Sequence, residues 1–326
     1  MSKLDIISIG DCTVDVFLNL EEGNVFCNIK KHACQICFNF GDKIPVEEVI
    51  QIPGTGNAAN LAIGSRRLGL NSSIRTIVGN EGSGEPIITN FKKEGVNIKH
   101  LVQDKKSPTN YSAIINFEGE RTIFSHHEER KYKFPKIKQA PKWIYLTSVG
   151  HNYEKMYADC VKYCKKHNVK LGFNPGTLQV RDGMDKIKAV IDQSDVILVN
   201  KEEAEMILNL DNGTPIKSLL RKLHDAGPEF AVITNGKDGA YSYDGKEFIH
   251  IPATKTKVVE RTGAGDAFST GYISAIIHGK NHQEALIWGT MNSDSVIQYV
   301  GPQEGLLTIK EMKKKVKCCP VKPKII

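Results

Sequence analysis

Six short apolar runs of β-strand length punctuate this chain, at Leu4–Ile9, Ile74–Val78, Trp143–Thr147, Lys170–Phe173, Val196–Val199 and Phe230–Thr234. Helix-like stretches separate most of them: Ala58–Leu68, Ile87–Glu94, Glu154–His167, Lys201–Leu208 and Ile216–Ala226. This alternation is restrictive. Successive strands joined through a helix run parallel, because the helix carries the chain back across the sheet face. Parallel strands covered on both faces read as near-continuous apolar runs, as these do. The expectation is an α/β protein with a mostly parallel sheet between helical layers.

Two regions interrupt the pattern. Asp11–Ile52 and Lys99–Phe124 read as short strands joined by turns, for example Tyr111–Phe117 and Arg121–Phe124 around Glu118-Gly119-Glu120. Both sit between core elements. They are expected to form a small β-sheet lid, built by roughly residues 11–52 and 99–127 of a single domain spanning 1–326.

With 326 residues, 40% of them apolar, the chain can bury a large core. No apolar run approaches the roughly 20 residues that span a bilayer. The start, MSKLDIISIG, lacks signal-peptide architecture, so a cytoplasmic protein without a membrane partner is expected. The net charge of +7 comes partly from Lys310–Lys324, read as a solvated helix end and a frayed terminus. Arginines and aromatics are not interleaved on a recognisable module, which argues against a nucleic-acid partner. The 8 cysteines, Cys160 and Cys164 among them, are expected as reduced thiols.

The segment Arg261–Phe268, RTGAGDAF, carries the chemistry. Small residues precede a helical pattern, which leaves backbone N–H groups free at a helix N-terminus, where anions bind. Asp266 then lies beside the bound anion, suited to accept a proton from an attacking hydroxyl. A plain N-cap is the alternative reading of the same residue. No Lys-Ser or Lys-Thr pair completes a Walker A loop. Gly54-Thr55-Gly56-Asn57-Ala58-Ala59 has the outline of a dinucleotide fingerprint, which would suit an NAD-dependent oxidoreductase, but Pro53, Asn57 and Asn60 are unusual there.

RTGAGDAFSTG resembles the C-terminal signature of the ribokinase-like (PfkB) carbohydrate and nucleoside kinases. Gly54–Gly69, Asn200–Glu205, Thr234–Ala240 and Gly10–Asp15 resemble the family's other motifs, in the right order. The resemblance implies a ribokinase-like three-layer α/β/α core with a lid, and ATP-dependent phosphorylation of a sugar or nucleoside hydroxyl. It implies Asp266 as base, with the amides of Gly263, Ala264 and Gly265 as an anion hole. Asn200 and Glu203 would hold Mg²⁺ through water, Thr234, Gly236 and Gly239 would border ATP, and Asp15, Gly56 and Asn60 would bind substrate hydroxyls. A sugar-phosphate kinase acting on fructose 6-phosphate or 2-keto-3-deoxygluconate is the alternative, and a non-catalytic sugar- or nucleotide-binding sensor a more distant one. Family members often pair through their lids, so a homodimer of that kind is expected.

Some residues depart from the family pattern. Glu260 stands where an Asp often serves a monovalent-cation site, which puts K⁺ in question, and Asn174 replaces the Asp of a common Phe-Asp-Pro. Cys27, His32, Cys34 and Cys37 have the outline of a zinc set, against which buried thiols are the preferred reading. Phe17, Phe38 and Phe40 could wall a base, and Arg121, His126, His127 and Arg130 could bind a phosphate, though lid packing and a solvated turn explain them as well.

Overall fold

The computed structural model describes residues 3–28, 33–80, 82–118 and 120–326. Strands β1 (Ile6–Ile9) and β2 (Thr13–Leu20) are followed by a hairpin, β3 (Asn24–Asn28) and β4 (Ala33–Cys37), and by β5 (Val46–Thr55). Helix α1 (Asn57–Arg67), β6 (Ser72–Arg75), β7 (Ile77–Gly79), α2 (Gly84–Lys93) and β8 (Val102–Asp104) come next. Strands β9 (Asn110–Phe117), β10 (Glu120–His126) and β11 (Trp143–Leu146) precede α3 (Glu154–His167), β12 (Lys170–Phe173), α4 (Thr177–Asp182) and α5 (Met184–Gln193). The chain continues through β13 (Val196–Asn200), α6 (Lys201–Ile207), α7 (Ile216–Asp225), β14 (Phe230–Thr234), β15 (Ala240–Tyr243) and β16 (Phe248–Ile251). It finishes with α8 (Ala264–Ile277), α9 (His282–Val296), α10 (Ile309–Lys317) and β17 (Lys324–Ile325).

The central sheet has nine strands in the order β17-β16-β15-β14-β13-β12-β11-β1-β6. It is parallel from β6 to β14 and antiparallel from β14 to β17. The parallel strands β1, β11, β12 and β13 are almost wholly buried, which explains their unbroken apolar runs. One core layer joins them to α3, α5 and α7 through residues such as Tyr157, Ile187 and Leu219. The other joins them to α8 and α9 through Tyr145, Phe268 and Trp288. No helix among the described residues is long and apolar enough to cross a membrane.

The two interrupting regions meet in a separate four-stranded sheet, β10-β9-β2-β5. Strand β2 is its seam, pairing antiparallel with β5 and parallel with β9. Gly119 and His32 lie outside the described residues.

Three expectations need correction. The strand expected over Ile74–Val78 divides after Arg75, because β1 ends at Ile9 opposite it and offers no further partner; β7 pairs with β8 instead. The C-terminal residues are not frayed: β17 pairs with β16, and Cys319 and Val321 pack against the core. Cys27 and Cys34 are not reduced thiols. They face each other across the β3–β4 hairpin with Cα atoms 4.0 Å apart and are joined as a disulfide, which dissolves the four-ligand zinc set. Cys160 and Cys164 are free and buried in α3.

Helix α8 is positioned by close backbone approach to α9. A Cβ at Gly271 would lie 2.4 Å from the Trp288 carbonyl oxygen, so only glycine allows this contact. Gly271→Ala is expected to destabilise the protein by about 1–3 kcal/mol, the usual overpacking cost, read as a lowered midpoint in denaturant unfolding.

Candidate functional site

The site forms at the carboxyl ends of the parallel strands, where open α/β sheets hold their ligands. Asn174 after β12, Asn200 at the end of β13 and Thr234 at the end of β14 line a cleft of about 230 Å³. Gly263, Ala264, Gly265 and Asp266 close another side, and Asn57, Arg121 and Arg261 complete the wall.

The turn that leads into α8 depends on Gly263, whose φ of 78° is left-handed and whose Cβ would lie 2.3 Å from Pro302. At Gly265 a Cβ would meet nothing within 4 Å, and this residue lines the cleft. The first N–H groups of a helix lack intrahelical acceptors. Of the three amides expected to bind anions, that of Ala264 bends back to the Arg261 carbonyl at 3.3 Å. Glu260 holds the loop from below: one carboxylate oxygen accepts from the Thr262 N–H at 2.6 Å and from the Thr262 hydroxyl, the other from the Gly301 N–H at 3.2 Å.

Asp266 is half-buried in the first turn of α8, and its Oδ2 accepts a hydrogen bond from Asn60 Nδ2 at 2.7 Å. Asn60 is not a helix cap; Gly56 occupies that place, and Asn60 projects from the first turn of α1. Lost hydration pushes the Asp266 carboxyl up to about 6; the Asn60 amide opposes this, Asp15 adds to it and Arg121 opposes it. Asp15, buried on β2, is likewise raised by burial, against hydroxyls of Thr55, Ser112 and Thr13.

Asn200 and Glu203 form a capping box on α6. Asn200 Oδ1 accepts from the Glu203 N–H and Glu203 Oε2 from the Asn200 N–H, both at 2.8 Å. Burial lifts the Glu203 carboxyl to about 7, with Asp266 contributing. Among the described residues, no three His, Cys, Asp or Glu side chains converge as a metal centre. Gly236 and Gly239 fall in the turn after β14, outside the cleft lining; a Cβ at Gly239 would strike the Ile251 carbonyl.

The chain was also compared with known proteins. Residues 5–309 match the pfkB family carbohydrate kinase profile. The chain belongs to the pfkB family of carbohydrate kinases. It is 28% identical to the ATP-dependent 6-phosphofructokinase of Thermoanaerobacterium thermosaccharolyticum, over 92% of this chain and 89% of that one. It is 27% identical to the ribokinase of Lactococcus lactis, over 86% and 90% respectively. The fold superimposes on an Arabidopsis thaliana ribokinase complexed with ribose and ATP with a TM-score of 0.76, at 18% identity, covering 97% of this chain and 99% of that one.

Within this fold, the apparent dinucleotide fingerprint stands outside a dinucleotide-binding context. Gly54 lies near the end of β5 and Gly56 just after it, and β5 is an antiparallel strand of the small sheet rather than the first strand of a parallel β-α-β unit. Sequence reading missed Asn57, Arg261 and Ser269 as cleft residues. It weighed Asn174 without a partner; Asn174 accepts from Asn57 at 2.9 Å and donates to the Leu198 carbonyl at 2.7 Å. Of the cationic group, Arg121 lines the cleft, whereas Arg130 is buried against Asp104 and the Pro108 carbonyl and is no part of a solvated turn.

The two loop glycines should respond differently. Gly263→Ala is expected to cost about 2 kcal/mol through the left-handed backbone and the Pro302 clash, seen as a lower melting temperature. Gly265→Ala is expected to melt with the parent protein.

Proposed function

We propose that this kinase transfers the γ-phosphate of ATP to a hydroxyl of a small sugar or nucleoside, with Asp266 as catalytic base. The observation that carries the reading is the Asp266 carboxylate, held in the first turn of α8 next to Gly265, which leaves open space on the cleft side, at the mouth of the parallel sheet. The acceptor hydroxyl gives its proton to Asp266 while its oxygen forms the new bond to phosphorus. The bond from phosphorus to the bridging oxygen breaks, and ADP leaves with that electron pair. The N–H groups of Gly263 and Gly265 bind the charge on the transferring group, and that of Ala264 joins them on release from the Arg261 carbonyl.

Asn200 and Glu203 suit Mg²⁺ held through water, since their oxygen donors are hard and the capping box engages only one carboxylate oxygen of Glu203. When bound, Mg²⁺ neutralises charge on the ATP phosphates. Thr234 borders ATP, with Gly236 and Gly239 shaping the turn beyond it. Asp15, Gly56 and Asn60 bind the acceptor. We assign Glu260 to holding the loop rather than to K⁺, because both its oxygens are engaged.

The small sheet acts as a lid that excludes water from the transfer. Exposed Phe26 on the β3–β4 hairpin, with Ile123 and Phe124 on the border strand β10, supports pairing of two copies through the lid. A polyol fits the acceptor side better than a stacked base: Phe17 is wholly buried, and Phe40 points to solvent. Arg121 and Arg261 in the cleft favour, as a second reading, an acceptor that already carries a phosphate. An ATP-coupled screen over ribose, fructose, fructose 6-phosphate, 2-keto-3-deoxygluconate and common nucleosides separates these.

Asp266→Asn is expected to fold, bind ATP and lose at least about two orders of magnitude in kcat, the scale of general-base catalysis. Near parental turnover would sink the assignment. The base must be ionised, so parental kcat should fall as pH drops through about 6. Stability runs the other way. A carboxyl raised above its ordinary 3.8 contributes stability that is fully present below that value and lost as pH rises through about 6. The Asn variant should therefore melt higher than the parent at pH 8.

A further inference from the structure

Two backbone carbonyls, which can only accept, start a one-way relay that ends on Asp266. Asn90 Nδ2 donates to the Pro53 carbonyl at 3.1 Å, so the same nitrogen also faces Gln303 Oε1, 3.5 Å away. Gln303 Nε2 donates to the Gly54 carbonyl at 2.7 Å. That orients the Gln303 amide, whose nitrogen then donates to Asn60 Oδ1 at 3.0 Å. With its oxygen so engaged, Asn60 must turn its nitrogen toward Asp266. Gln303 and Asn60 are both buried, so water does not compete for these contacts. The segment bearing Gln303 is itself clamped. Arg67 Nη1 donates to the carbonyls of Gln303 at 2.7 Å and Leu306 at 3.3 Å, while Glu94 holds the same guanidinium through bonds of 2.7 and 3.0 Å.

We propose that Gln303 is a positioning residue for phosphoryl transfer: it locks the amide of Asn60 so that its N–H occupies Oδ2 of Asp266 and leaves Oδ1 to take the acceptor's proton. This rests on the reading of Asp266 as base. Without Gln303 the Asn60 amide is free to rotate, and its oxygen can face the carboxylate instead. Asp266 also faces Asp15 from β2, Arg121 from β10, Glu203 from α6 and Tyr145 from β11. None of these contacts the Gln303 amide in the relay, so removing that amide changes Asp266 chiefly through Asn60.

The test is a carboxyl ¹³C NMR titration of aspartate-labelled protein, with Asp266 assigned by Asp266→Asn. In Gln303→Met, which keeps the side-chain volume, Asp266 should titrate about one pH unit higher than in the parent, the scale of one lost hydrogen bond to a charged group. The acidic limb of kcat should move with it, while KM for ATP stays within about twofold. Gln303→Glu keeps the shape but carries no N–H when ionised; it should move the titration in the same direction and serves if the Met variant fails to fold. An Asp266 titration unchanged in the folded variant overturns the proposal. Absence of any ATP-dependent transfer by the parent protein would instead sink the kinase reading, and the titration would still report on the relay.

Discussion

The hydrogen bond from Asn60 to Asp266 joins residues 206 positions apart in the chain. It brings together the N-terminal turns of α1 and α8, whose caps are Gly56 and Gly263. Two helix N-termini therefore converge on one carboxylate, and the partial positive charge at each favours anions there. The rest of the molecule serves this meeting point. The small sheet delivers the chain into α1 through β5, and the packing of α8 on α9 holds the other side. The parallel strands supply the polar ends that complete the cleft.

The arrangement crowds acids. Asp15, Glu203, Glu260 and Asp266 are all partly or wholly withdrawn from water in one region, and the first two and the last are pushed toward protonation. Glu260 is the one supplied with backbone donors on both oxygens. Such crowding is unfavourable for folding and suits a site whose ligands bring cations and hydrogen-bond donors. Arg121, reaching in from β10, is the cationic side chain that moderates Asp266.

The core was legible wherever one element could be judged by its own residues. Lys170–Phe173, Phe230–Thr234 and Glu154–His167 coincide with β12, β14 and α3, because a buried strand and an amphipathic helix each carry a complete local pattern. Helices α4 and α5 went unread, since Gly183 divides one apolar pattern into two short pieces. Strands β15 and β16 alternate buried and half-buried residues, but Ser242 and His250 interrupt them, so neither reads as an apolar run. In the site, glycines and Asp266 stood out because backbone geometry constrains them locally. Gln303 and Arg261 did not, since their meaning arises from partners hundreds or scores of residues away. The Cys27–Cys34 bond was equally silent: two cysteines in a hairpin reveal their pairing only once the register is known.

The pairing of β17 with β16 bears on how the protein behaves in a crowded solution. An open sheet ends in a row of unpaired N–H and C=O groups that another chain can extend. Here that border is covered by a two-residue strand in which Lys324 stands opposite His250, and the Ile326 N–H closes onto the Phe248 carbonyl at 2.9 Å. The new border is too short to template a second sheet and carries a charge where an incoming strand would dock. The lysine-bearing strand thus disfavours strand addition at this border of the central sheet.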